Sequence, residues 1–247
     1  MTPTRRNNQS GVTLMEVLVA MTLLSGLAAG ILFSLRIGLN AMERGNSKLM
    51  MNRRVMGVER IFQEQVAGYM PAKVDCRVNA EGAVATAHFF EGEPQTMRFV
   101  SSYSLQEGNR GYPHILEYQV IPGENGRGVR LVVNELLYTG PTSTATVCNG
   151  IEPDPVTGFP TPRFGPVQIG SYSFVLADKL QYCRFLYKDE PPPPQPERWL
   201  ERWGRARMPS ALRVDMGPLD PDPGKLQLVG LTEPIRVNRD IMARYTE

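Results

Sequence analysis

Residues 11–36 read GVTLMEVLVAMTLLSGLAAGILFSLR, and this stretch decides how the rest of the chain is read. From Val12 to Leu35 there are 24 residues with a single charge, Glu16. A helix of that length is about 36 Å long, enough to cross a hydrocarbon core of about 30 Å with some tilt. A carboxylate in such a helix costs about 2.5–3.5 kcal/mol at the centre and less near an end, so Glu16 calls for a purpose. Small residues recur at every fourth place: Thr22, Gly26, Gly30, Ser34 and Gly38. Gly26 and Gly30 make a GxxxG pattern, which lets spanning helices approach closely where lipid gives no hydrophobic drive.

The stretch is preceded by MTPTRRNNQSG, which is short, polar and basic. A secretory signal peptide would need a short apolar region and then small residues at a cleavage site. SGLAAG at 25–30 supplies small residues, but the apolar run continues through Ile31, Leu32 and Phe33. The order of features is instead a basic leader, Gly11, then an apolar helix with an acid as its fifth residue. G-VTLMEVLVAMTLL resembles the leader of type IV pilins and type II secretion pseudopilins, usually G-FTLIE, with Val12 where the family more often has Phe. The resemblance implies that a prepilin peptidase cuts between Gly11 and Val12 and methylates the new Val12 amine. It also implies that Glu16 pairs with the N-terminal amine of a neighbouring subunit during assembly. That pairing is physically reasonable, because a buried carboxylate needs a partner and a free α-amine is cationic.

The 247 residues allow one or two domains, and 42% apolar with 21% charged content is ordinary for a folded protein. Net charge is +2, so there is no nucleic-acid footprint. Charge is unevenly placed, however. Residues 36–60 hold Arg36, Arg44, Lys48, Arg53, Arg54 and Arg60 against Glu43 and Glu59. This basic neck reads as a solvated helix face, or as a contact for anionic headgroups or an acidic partner. It also sets up a conflict. The leader has two basic residues and positions 36–55 have five, so the positive-inside rule alone would leave the body in the cytoplasm. The leader motif implies the opposite orientation, in the periplasm, and the expectation follows the motif.

Beyond the span the helical pattern goes on. Met51, Val55, Val58, Phe62 and Val66 form a helical stripe, ended by Gly68 and Pro71. The expected layout is a leader at 1–11, a helix at 12–67 that spans the membrane at 12–35, and a β-rich body at 68–247, with the stripe packed on the body's sheet. Strands are expected at 83–90, 95–101, 115–121, 128–138, 179–187, 211–216 and 225–231. No helices of crossover length separate them, so the fold class is α+β: one long helix and an antiparallel β body. PGENGRG (122–128) reads as a hairpin turn.

Residues 139–166 read as a long surface loop. The segment 189–209 reads as a stiff polyproline stretch followed by a short helix, with Trp199 and Trp203 on one face. These tryptophans either cap the core or anchor a partner. The helix between Met42 and Phe62 is the other candidate partner surface. Cys76, Cys148 and Cys183 have no metal-ligand spacing. In an extracytoplasmic body they allow one disulfide in three possible pairings, and the reading leans to Cys148–Cys183.

MPSALRV (208–214), after the tryptophans, is similar to the LPxAVRV step of J-type minor pseudopilins. That likeness implies a structural subunit at the tip of a type II secretion pseudopilus. Its implied partners are I-type and K-type minor pseudopilins, the major pseudopilin, the prepilin peptidase and the inner membrane. A K-type assignment is disfavoured, since that subunit lacks the fifth-position acid. The alternatives are a minor type IV pilin, or a membrane-anchored enzyme or binding protein. No GxSxG, HExxH, P-loop or GxGxxG occurs, and His88 and His114 are the only histidines. DPDPG (220–224) lacks EF-hand spacing. No catalytic residue, cofactor or metal is expected.

Overall fold

The computed structural model describes residues 11–77, 83–205, 207–221, 226–227 and 229–237. Helix α1 runs from Leu14 to Ala67, 54 residues. Among the described residues thirteen strands, a 3-10 turn at Glu124–Gly126 and a short helix follow. They are β1 (Tyr69–Met70), β2 (Lys73–Arg77), β3 (Val84–His88), β4 (Glu91–Gly92), β5 (Thr96–Ser104), β6 (Asn109–Pro122) and β7 (Val129–Leu137), then α2 (Pro141–Ala145). After it come β8 (Cys148–Pro153), β9 (Pro160–Phe164), β10 (Phe174–Asp189), β11 (Arg198–Leu200), β12 (Ala211–Pro218) and β13 (Gly230–Pro234).

The main sheet is antiparallel in the order β1-β5-β6-β7-β10-β12-β13, with β4 beside β5 and β11 beside β10. β10 changes partner along its length: Phe174 to Leu180 pair with β7, and Tyr187 to Asp189 pair with β11. The change follows an irregularity where Lys179 takes a left-handed φ of 53°.

Side chains alternate between the faces of the sheet, as a pleated strand requires. On one face Met97, Phe99, Leu116, Tyr118, Val133 and Phe185 form the main core with Val58, Phe62 and Val66 of α1. Three of the five stripe residues thus form the packed face; Val55 is half-buried, and the Met51 side chain lies outside the described ones. The compact β unit begins at Asn52, earlier than the expected boundary at 68, because this last part of α1 belongs to its core. Gly68 ends the helix where the chain passes β5. A Cβ there would lie 2.7 Å from Ser101 Oγ. Ser101 Oγ donates to Gln65 O and Ser102 N to Gly68 O, satisfying carbonyls at the helix end.

On the other face lies a second layer, made of the β2–β3 and β8–β9 hairpins. It buries Val74, Phe89, Val100 and Ile115, and one disulfide, Cys76–Cys148, staples β2 to β8. This corrects the expected Cys148–Cys183 pair. Cys183 points into the helix-side core, buried and unbonded, whereas Cys76 and Cys148 meet in the second layer with Cα atoms 5.7 Å apart. Residues 139–166 are likewise no plain loop: they hold α2 and the β8–β9 hairpin. The segment 189–209 is also different from its expectation. Pro191–Pro196 form a turn that joins β10 to β11, and no helix follows among the described residues. The last strand falls at Gly230–Pro234, shifted from the expected 225–231, of which 225 and 228 lie outside the described residues.

Candidate functional site

Gly11, Val12 and Thr13 lead into α1 without helical structure and are exposed, so the peptide bond between Gly11 and Val12 lies in open, non-helical chain. The helix starts at Leu14 for a local reason. Thr13 is its N-cap: Glu16 N donates to Thr13 Oγ1 at 3.3 Å, and Val17 N donates to Thr13 O at 3.3 Å. T-L-M-E at 13–16 has the spacing of a capping box, a signal the charge-centred reading passed over. Glu16 thus sits in the first turn, where the helix dipole favours an anion. It is exposed, and among the described residues its carboxylate is in no ion pair. A carboxylate presented bare from an apolar helix, one turn past the cleavage bond, is geometrically available to an amine from another chain. Residues 1–10 of the leader lie outside the described residues.

The apolar helix is exposed along its length up to the start of the β unit and is long and apolar enough to cross a membrane. Two of its hydroxyls are satisfied internally: Thr22 Oγ1 donates to Val19 O at 2.9 Å and Ser25 Oγ to Met21 O at 2.7 Å. Back-bonding of this kind pairs both donors where lipid offers no partner. A Cβ at Gly26 or Gly30 would touch nothing, so both leave open notches on the helix surface. Arg36, Lys48, Arg53, Arg54 and Arg60 of the neck are all exposed.

The two tryptophans differ. Trp199 is exposed on the short edge strand β11, while Trp203 is buried at 7% exposure and belongs to the main core. Its indole donates to Arg207 O at 2.7 Å, and its backbone N donates to Gly92 O at 2.7 Å. The expected pairing on one helix face is therefore corrected: one is core, the other surface.

Sequence reading did not single out the body's buried charges. Arg98, 1% exposed, is held by Glu117 and Glu91 and donates to the Gly165 carbonyl at 2.6 Å, tying β5 to β6, β4 and the end of β9. Burial pushes the Glu91 carboxyl up, against the pull of Arg98. Asp189 is fully buried and takes Arg198, Arg205 and Arg207 together. Burial opposes its charge, but the bonds from Arg207 and Arg198, with Arg205 close by, hold its carboxyl below the usual range. Glu135 joins α1 to the sheet: Gln65 Nε2 donates to it at 3.2 Å, as do Leu105 N at 2.6 Å and Ser104 Oγ at 2.9 Å. The available signal was a charged residue at an inward position of an otherwise apolar strand. His88 lies on β3, His114 donates to Tyr112 O through Nδ1 at 2.8 Å, and positions 222–224 of DPDPG lie outside the described residues.

A capped apolar helix with this N-terminus, followed by an antiparallel sheet body, defines a pilin-like protein anchored by its first helix. Residues 6–32 match the prokaryotic N-terminal methylation motif. The body and helix together are similar to type II secretion system protein J of Xanthomonas campestris pv. campestris, 24% identical over 213 residues, covering 85% of this chain and 88% of that one. No solved structure matches. Within the pilin-like class, the N-terminal motif and this similarity along most of the chain set it beside J-type components of type II secretion systems.

Proposed function

We propose that this protein is a minor pseudopilin at the tip of a type II secretion pseudopilus and that its role there is structural, not catalytic. The leader is removed after Gly11, Val12 becomes the methylated N-terminus, and α1 holds the chain in the inner membrane with the β body in the periplasm. I-type and K-type subunits are its tip neighbours, with the major pseudopilin below them. The observation that carries this reading is the bare Glu16 carboxylate in the first turn of an exposed apolar helix, next to the cleavage bond. A charge so placed is a liability in a lone anchor and an asset in a helix bundle that supplies an amine. The Cys76–Cys148 bridge supports the periplasmic orientation, since such bonds persist in oxidising compartments.

The test is Glu16→Leu. Removing a charge from the span leaves insertion at least as favourable, and the Gly11–Val12 bond is untouched. The variant is expected to accumulate in the membrane in processed form and to fail to restore secretion in a strain lacking the wild-type chain. Normal secretion by Glu16→Leu would refute the pairing.

A further inference from the structure

A cleft of about 270 Å³ opens in the second layer of the body, outside the helix that carries assembly. One wall is β3, which offers four consecutive residues, Ala85 to His88. β3 pairs with β2 on one side and, among the described residues, with no strand on the other. Antiparallel pairing fixes which backbone groups face the cleft. Phe89 N bonds to Ala72 O, so Val74/Ala87 and Cys76/Ala85 are the bonded pairs. The N–H and C=O of Thr86 then point away from β2 towards the open edge. Ala85 and Ala87 are small and leave that edge accessible. The opposite wall is β9, where Pro160 and Pro162 cannot donate to a ladder. The cleft therefore has one edge able to accept a strand and one that is blocked.

The chemistry of the lining says what kind of strand fits. Phe90, Ile151, Trp203 and Met208 supply apolar surface. Arg205 and Arg207 are the charged residues of the lining, and no carboxylate is among it. Both guanidiniums bond to Asp189, which Arg198 shares, and Arg207 also feels the Glu190 carboxylate, so the lining presents two cations whose carboxylate partners lie outside it. The Nε of Arg205 is buried and has no acceptor among the described residues.

We propose that β3 is a docking edge for an extended segment of a partner polypeptide, one that pairs with the backbone at Thr86, lays apolar side chains against Trp203 and Met208, and places a carboxylate side chain at Arg205 and Arg207. Main-chain bonds of this type give affinity, and the pockets for alternate side chains give specificity. The disulfide beneath β2 keeps the edge preorganised, which lowers the ordering cost of binding.

The experiment uses the full chain in detergent micelles and a panel of fluorescent five-residue Val/Thr peptides, with Asp at each position in turn and Asn in its place as the control. Anisotropy is expected to show that one or more Asp peptides bind at least tenfold more tightly than their Asn counterparts. Amide exchange is expected to slow at Val84–His88 in the complex. Thr86→Pro removes an N–H that β2 does not use, together with the Thr86 Oγ1 bond to Asp75 at 2.7 Å; Thr86→Val loses only that bond and is the control, and the proline variant should bind at least tenfold more weakly than the valine one. Arg205→Gln with Arg207→Gln should abolish the preference for Asp while leaving residual binding of both peptides; this pair also serves if Thr86→Pro fails to fold. The inference is overturned if no peptide of the panel binds at millimolar concentration. It is equally overturned if binding leaves exchange at 84–88 unchanged, or if the doubly substituted chain keeps its preference for Asp. None of these readouts depends on secretion or on processing at Gly11, so failure here is distinct from failure of the pseudopilin reading.

Discussion

Replacing Trp203 with Ala separates a core role from an anchoring role. The side chain is 7% exposed, sits in the main core, and fills the space beside Gly92 so closely that a Cβ on that glycine would lie 2.6 Å from the tryptophan Cβ. Truncation of a buried tryptophan costs about 3–5 kcal/mol, through lost burial and the cavity left behind. The lost indole bond to Arg207 O adds a smaller cost of about 1 kcal/mol, partly offset if water reaches that carbonyl. The compact unit begins at Asn52 and is close to 200 residues long, and for that size each kcal/mol moves the melting temperature by about 2–4 °C. The expected fall is therefore about 6–20 °C. The assay is thermal unfolding of the full chain in detergent, followed by circular dichroism in the β-sheet band, against wild type and Trp199→Ala. Trp199 is exposed on an edge strand, so its removal should change the midpoint by only a degree or two. A Trp203→Ala midpoint within about 2 °C of wild type would refute the core assignment.

Arg98→Met should destabilise the body by about 3–5 kcal/mol, since it leaves Glu117 and the partly buried Glu91 without their cation; unfolding in urea measures it. Alkylation of the unfolded, unreduced chain should label one thiol, Cys183, and the folded chain should react slowly there, because burial pushes that thiol up to about 12. Cys76→Ser with Cys148→Ser opens a link of 72 residues and should cost about 4 kcal/mol by the chain-entropy estimate, read from the same urea curves. Acid should destabilise the body through Asp189 and Asp154. Burial opposes both charges, but the arginines at Asp189 and the Thr157 and Val156 amides at Asp154 outweigh it and lower both carboxyls. Their contribution is complete above the ordinary aspartate pKa near 4 and is lost as pH falls through the lower folded values. Glu91, raised by burial, works in the opposite direction, adding stability below the ordinary glutamate range and losing it as pH rises. The predicted balance is a falling melting temperature below about pH 4, attenuated in Asp189→Asn.

The long helix and most of the main sheet were legible because their periods are long and regular. Val58, Phe62 and Val66 mark a helical face, and strands such as β6 and β7 alternate through Leu116, Tyr118, Val120, Leu131 and Val133. The second layer was not legible. β2 is five residues with three charges, Lys73, Asp75 and Arg77, and β9 carries two prolines, so both resemble loops by composition. Since β2 was missed, Cys76 had no assigned neighbour and Cys148 was matched to the only cysteine seen in a strand. The tryptophans at 199 and 203 fit a helical spacing by coincidence; Asp189 pairing with Arg198 holds that segment in a hairpin instead. At the N-terminus the candidate residues were legible individually, and what the structure adds is the cap by Thr13 that sets Glu16 in the first turn.

The central claim is that this chain is a processed pilin-like subunit, and the mass of the protein purified from its own membrane tests it most directly. The account predicts loss of residues 1–11 and an N-terminus of methylated Val12, with one disulfide in the intact chain. A mass that retains Met1, or an N-terminus following Ala29 or Gly30, would contradict it.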